Sequence, residues 1–389
     1  MCSIAGNIGA GAALTGGGGT SVPGLVQHSW RTPLRFWPAL ALGLVAAGPP
    51  PKLPPKDKTA VKQAPSAKEA VAIAVPPFLV AMPDTAPKDT LRRILLKPYV
   101  AVTGAALTDA GWDGASLDGL KAKAPDLALV SASQLQAGCK SQQFVHLDWA
   151  RLNRDRFLPQ TATDCGAGAY VSASGLAWDK DKLNFTPGWP DFWDIARHPG
   201  RRGLRKTARG NLEYALLADG VSPGDVYRSL RTQDGQDRAF RKLDQLKPYL
   251  TWWDQPQQPE QMLASGKVLL TSAPAEALLG AGAAAHRHYG VQWAGSLTQI
   301  AFWAVPAAAP HEAASALALL VATDPARLAE FSQTGFFGPP TKDALDMLPP
   351  AAREATPSAG LTAGLALDEG FWADNQAKLE QRFAAWLAK

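Results

Sequence analysis

Few residues in this chain of 389 are typed and spaced to do chemistry, and most candidates fail on spacing. His286 and His288 stand two apart and share a side only in a strand. No Cys, Asp or Glu accompanies them at ligand spacing, so no metal site is expected. Ser172, Ser174 and Ser272 lie outside any G-x-S-x-G context, which excludes a nucleophile elbow. Gly9-Ala10-Gly11 has neither a preceding strand nor a following Gly-Lys-Ser/Thr, so it is not a nucleotide loop. What remains is the run Trp252-Trp253-Asp254-Gln255-Pro256-Gln257-Gln258-Pro259. Adjacent indoles followed by a carboxylate and amides such as Gln258 suit a pocket for an organic cation or a polyol, because ring faces attract ammonium charge and amides fix orientation. The same pair fits packing equally well, with one indole buried and the other facing a cleft. Trp303, inside Ile300-Ala301-Phe302-Trp303-Ala304-Val305-Pro306, reads the same way but leans towards core. The sequence reads as a binder with no cofactor, not an enzyme.

The elements that must position these residues alternate. Val71–Val75, Leu127–Val130 and Ala169–Ala173 read as buried strands, and Lys88–Lys97 and Leu117–Lys123 as helices, which is the α/β pattern. A helix opens at Trp189-Pro190-Asp191 and stops near Pro199-Gly200. Ser222-Pro223-Gly224-Asp225 predicts a capping box and a helix to about Arg231, and Asp324-Pro325 predicts another to about Gln333, stopped by Gly335. Trp372, Leu379, Phe383 and Trp386 recur at helical intervals after Asp368-Glu369, which predicts an amphipathic closing helix whose stripe is core.

Composition narrows the function class. Hydrophobic residues make up 46% and charged residues 19%, enough for a substantial core, and no uninterrupted apolar run reaches membrane-spanning length. The net charge of +5 includes Arg31 and Arg35, the only charged residues before position 48. Later basic residues are interspersed with acids, so nucleic acid is not an expected partner. Arg31 and Arg35 precede the apolar segment Phe36–Ala47, which ends in small residues with Val45 and Ala47 at the −3 and −1 positions. This predicts a secretory signal within residues 1–47, a Pro/Lys-rich tether over 48–69 and a periplasmic location. Residues 1–28 lie upstream of an ordinary signal, which places the expected translation start later. Of the three cysteines, Cys139 and Cys165 fall outside the leader. An even pair in an exported chain predicts a disulfide rather than metal ligation, worth roughly 3 to 4 kcal/mol in the chain-entropy model.

Several blocks from Cys165 to Thr341 occur in an order that resembles the extracellular solute-binding proteins of bacterial ABC importers, in particular their spermidine/putrescine-binding branch. These are Cys165-Gly166-Ala167-Gly168, Trp189–Asp194, Pro199–Leu204, Leu212–Val221, Asp237–Phe240 and Trp252-Trp253 with Gln258-Pro259. Phe371–Asp374 and Gln381–Phe383 are similar too. The resemblance implies a type II periplasmic-binding fold, two α/β lobes joined by hinge crossings, with residues 70–168 plus 273–300 in one lobe and 169–272 plus 301–389 in the other. It implies a monomer that captures a polyamine in the interlobe cleft and passes it to a membrane permease, with Glu213 and Asp254 as the first carboxylates to hold ammonium ends. Each has a structural alternative, Glu213 as a helix cap or ion-pair partner and Asp254 as a turn former. Two stretches depart from the branch. Val75–Val80 stands where it carries Trp-Gly-Gly, and Pro274-Ala275-Glu276-Ala277 where it carries Tyr-Asn-Gly-Arg. Glu276 either supplies a new carboxylate or opens the helix through Leu279. The departures leave a second reading open, a two-lobe shell with altered or lost polyamine affinity that acts in sensing or protein interaction. A ferric-ion binder is disfavoured because none of the six tyrosines is adjacent to another.

Overall fold

The computed structural model describes residues 75–389, so the predicted leader, tether and most of the strand expected at Val71–Val75 lie outside the described residues. The first strand is instead β1 (Phe78–Ala81), and Val75 is exposed. It is followed by β2 (Leu107–Asp109), β3 (Leu127–Ser131), β4 (Ala162–Thr163), β5 (Gly166–Asp179), β6 (Arg202–Arg205), β7 (Leu250–Trp253), β8 (Leu270–Pro274), β9 (Tyr289–Ala304) and β10 (Leu365–Ala366). The order is β2-β1-β3-β9-β5-β8-β6-β7, with β4 on β5 and β10 on β9.

Two strands organise everything else. β5 is a run of small and apolar residues, Gly-Ala-Gly-Ala-Tyr-Val-Ser-Ala-Ser-Gly-Leu-Ala-Trp-Asp, buried almost throughout, as a central strand covered on both faces must be. It pairs antiparallel with β9 from Gly166 opposite Ala304 to Asp179 opposite Tyr289, with irregular register near Gly168 and Gly175. At one end β9 carries β3, and at the other β5 carries β8. The pair therefore runs from one lobe into the other, which gives the two-lobed α/β fold joined by hinge crossings.

Each lobe has its own core on its sheet. In the first, Phe78, Leu95, Leu129, Trp303, Leu319 and Phe331 share one cluster, and Ala128, Leu135, Phe144 and Cys165 pack together in another. In the second, Trp189, Tyr214, Phe240, Trp372, Phe383 and Trp386 form the larger cluster, while Trp253, Met262, Leu278 and Tyr289 form a smaller one. At roughly 1.5 to 3 kcal/mol for each fully buried large apolar side chain, these clusters supply the driving force that local propensity lacks. The partition differs from the expected one. Residues around Leu278 belong to the second lobe, and Val305 to Ala344 to the first, because antiparallel β9 delivers the chain back beside β3. From Leu365 onward the chain returns to the second lobe, where Leu365, Leu367 and the helix Glu369–Leu387 join its core.

The helix boundaries follow the caps. Asp324 accepts from the Arg327 amide, and the helix Pro325–Gly335 ends at Phe336 in a left-handed conformation. Asp368 accepts from the Phe371 amide, and Trp372, Leu379, Phe383 and Trp386 are all buried along the closing helix. Ser222 does not cap a backbone amide; its hydroxyl donates to the Asp225 carboxylate, and the α-helix runs only over Val226–Leu230. The Trp189 helix is a single turn ending at Trp193. The helix from Lys88 continues to Thr103 through a π-helical stretch, Leu91–Leu96. Cys139 and Cys165 form a disulfide with Cα atoms 5.8 Å apart, tying the helix Ala132–Lys140 to the start of β5.

Candidate functional site

Parallel strands present their carboxyl ends to one side of a sheet, and in open α/β sheets ligands sit outside those ends. In the second lobe β6, β7 and β8 are mutually parallel. Their last residues, Arg205, Trp253 and Pro274, line one cavity of about 470 Å³ together with Arg209, Gly210 and Tyr214. In the first lobe the residues following β1 and the end of β3, Pro83, Thr85, Val130 and Ser131, line a second cavity of about 550 Å³ with Tyr170 and Phe337. Thr85, Ser172, Pro274, Glu276 and Gln299 line both. The two cavities are thus one cleft, floored where Ser172 of β5 faces Gln299 of β9 at the crossing.

Charge gives the cleft its chemistry. Glu276 lies in the first turn of the helix Ala275–Ala284, and its Oε2 is shielded from solvent with no hydrogen-bond partner. Burial pushes its carboxyl from the ordinary 4.5 up to about 7, against backbone hydrogen bonds at Glu276 itself and Ala173. Ser272 Oγ and Trp253 Nε1 on the same wall are likewise buried and unpartnered. Buried polar atoms in proteins nearly always have partners, so three on one cavity mark a place built to receive polar groups. Opposite in sign stand Arg205 and Arg209. Neither guanidinium takes part in a salt bridge among the described residues. That of Arg205 lies 5.8 Å from the centre of the Trp253 ring. Gly210, at φ +92°, turns the chain from this arginine loop into the helix Asn211–Ala218, a conformation that suits glycine.

The residues expected at the site divide. Trp253 and Glu276 line the cleft. Glu213 does not, and it is fully buried as a structural hub: its carboxylate accepts from the Gly210 amide at 2.9 Å, Tyr227 Oη at 3.0 Å and Trp372 Nε1 at 2.6 Å. Burial raises its carboxyl too, opposed by those donors. Trp252 packs edge-on against Phe383 and Trp386, with centroids 5.6 and 6.1 Å away. Asp254 is exposed and lines neither cavity, and Gln258 Oε1 accepts from the amides of Asp254 and Gln255, which makes this stretch a turn. Trp303 is wholly inside the first-lobe core. Arg205, Arg209, Tyr170, Gln299 and Glu369 were not anticipated. Arg205 directly follows the block Pro199–Leu204, and its position at a strand end before a glycine and a helix was the available signal.

The sequence from 102 to 358 matches the family model of bacterial extracellular solute-binding proteins. The chain belongs to this family. It is 40% identical over 271 residues to the gamma-aminobutyric acid-binding protein of Pseudomonas aeruginosa, an alignment covering 68% of this chain and 76% of that one. Among solved structures, the Atu4243 GABA receptor matches with a TM-score of 0.64 and 23% identity over 80% of this chain and 98% of its own. The spermidine/putrescine-binding protein PotD of Streptococcus pneumoniae matches with a TM-score of 0.63 and 14% identity over 80% of this chain and all of its own. The two structural likenesses show a shared fold and nothing finer. The solute-binding assignment expected from the sequence therefore holds at the level of family, while the polyamine branch gains no support from the 40% identical relative.

Proposed function

We propose that this chain is the periplasmic solute-binding component of an ABC importer and that its cargo is a small ω-amino acid, with γ-aminobutyrate the best-fitting member. The observation that carries the reading is the pairing, on one cavity, of the Glu276 carboxyl, whose Oε2 lacks a partner, with the Arg205 and Arg209 guanidiniums. An ammonium group at Glu276 and a carboxylate at the arginines would satisfy both signs, and charge-assisted hydrogen bonds of this kind contribute about 1.5 to 3 kcal/mol each. The likeness to the Pseudomonas aeruginosa protein points the same way. Because the cleft is walled by both lobes, a solute touching both favours closure by differential contact, and the closed form is what a permease would receive.

A polyamine is the second reading, favoured by Glu276 and Glu369 on the larger cavity. The two arginines oppose it, since a second ammonium end would meet like charge. γ-Aminobutyrate and putrescine share a four-carbon chain and differ in the charge at one end, so they separate the readings. Calorimetric titration at pH 8 with γ-aminobutyrate, putrescine, butylamine and butyrate is expected to rank γ-aminobutyrate tightest. Tighter binding of putrescine would favour the second reading, and binding of none would reject both.

A further inference from the structure

Glu369 opens the closing helix, whose apolar side is part of the second-lobe core. Its Oε2 accepts from the Ser133 hydroxyl at 2.8 Å and the Ser133 amide at 3.2 Å. Ser133 belongs to the helix Ala132–Lys140, anchored in the first lobe through Leu135. Its Oε1 accepts from Gln299 Nε2 at 3.3 Å, on the crossing strand β9. One half-buried carboxylate thus joins the first lobe, the second lobe and the crossing on the wall of the cleft. The local chemistry suits the contact. Amides in the first turn of a helix have no partner within it, and negative charge is favoured there. Ser131 satisfies the Gln134 amide in a capping box, while the Ser133 amide is left for Glu369.

We propose that Glu369 is a positioning residue that latches the lobes, holding the ligand-free protein towards the closed arrangement. The latch does not depend on which solute is bound. It links two bodies otherwise joined by the β5–β9 crossing and by the return segment 345–368 with β10 on β9, so removing it lets the hinge relax to wider openings.

The test is the interlobe distance in ligand-free protein, measured by pulsed spin-label spectroscopy. Labels would sit on Val102→Cys and Gln245→Cys, exposed positions of the first and second lobes, in a Cys2→Ser background with the native disulfide intact. Glu369→Ala is expected to move the open-to-closed ratio by about tenfold, a typical effect of one charge-assisted contact. Ser133→Ala should move it less and in the same direction, and Ser133→Thr, which keeps the hydroxyl, should leave the parent distribution. Distances unchanged in both alanine variants would overturn the latch. If Glu369→Ala fails to fold, Ser133→Ala decides alone. Since no solute is present, this outcome is independent of whether γ-aminobutyrate binds.

Discussion

Glu213 and Glu276 occupy matching places, each a glutamate in the first turn of a second-lobe helix, each with its carboxyl raised by burial. Their surroundings make opposite things of them. Glu213 is surrounded by donors, and three hydrogen bonds tie the Gly210 turn, Tyr227 and the closing helix together. Glu276 faces the cleft with Oε2 unpartnered. A buried charge that is fully satisfied holds a fold together, and one left short of a partner is prepared for something else to supply it. The pair shows that neither residue type nor helix position separates structure from function; the donor count does.

Removal of Glu213 carries the largest expected effect. Glu213→Ala would strand three buried donors, and we expect a loss of about 3 to 5 kcal/mol in denaturant unfolding, the range for breaking a buried charged network. A loss below about 1 kcal/mol would remove Glu213 from the structural role. Glu276→Gln is expected to do the reverse, costing no stability and at pH 8 stabilising the fold by removing a buried ionised carboxylate, while weakening γ-aminobutyrate at least tenfold by calorimetry. Arg205→Ala should weaken γ-aminobutyrate by a similar factor and leave butylamine unaffected, whereas equal losses for both would show that the arginine acts through packing on Trp253.

A smaller effect sharpens the contrast through pH. In the free protein the Glu276 carboxyl takes up a proton as pH falls through about 7. An ammonium group binds the ionised form, so affinity should be full at pH 8 and decline below 7, by up to tenfold per unit, and Glu276→Gln should flatten the profile. The sign for stability is opposite. A raised carboxyl favours the fold most below its ordinary 4.5, and that contribution is lost as pH rises through about 7. Tyr227→Phe removes one donor from Glu213, so a loss of about 1 kcal/mol is expected.

What the sequence made legible followed the reach of the signals. The β3 strand, the Asp324 cap, the stripe from Trp372 to Trp386 and the Cys139–Cys165 bond all rest on local pattern or simple pairing, and all appear. The family was legible from block order. The cleft was only partly so. Trp252 and Trp253 are neighbours, yet alternation in β7 turns one into the large core and the other to the cavity wall. The donors that close on Glu213 come from Tyr227 and Trp372, the latter 159 residues away, and no spacing rule reaches that far. Arg205 and Arg209 become visible only once β6, β7 and β8 are known to be parallel and to end at one crevice. The lobe boundaries depend on the return path of β9, which is a matter of topology rather than composition.

The most direct test of the account is γ-aminobutyrate titrated calorimetrically at pH 8 into the parent chain and into Glu276→Gln. Saturable one-to-one binding by the parent and at least a tenfold weaker constant for the variant are expected, with the variant melting no lower than the parent. Equal affinity in the two, with intact folds, would contradict it.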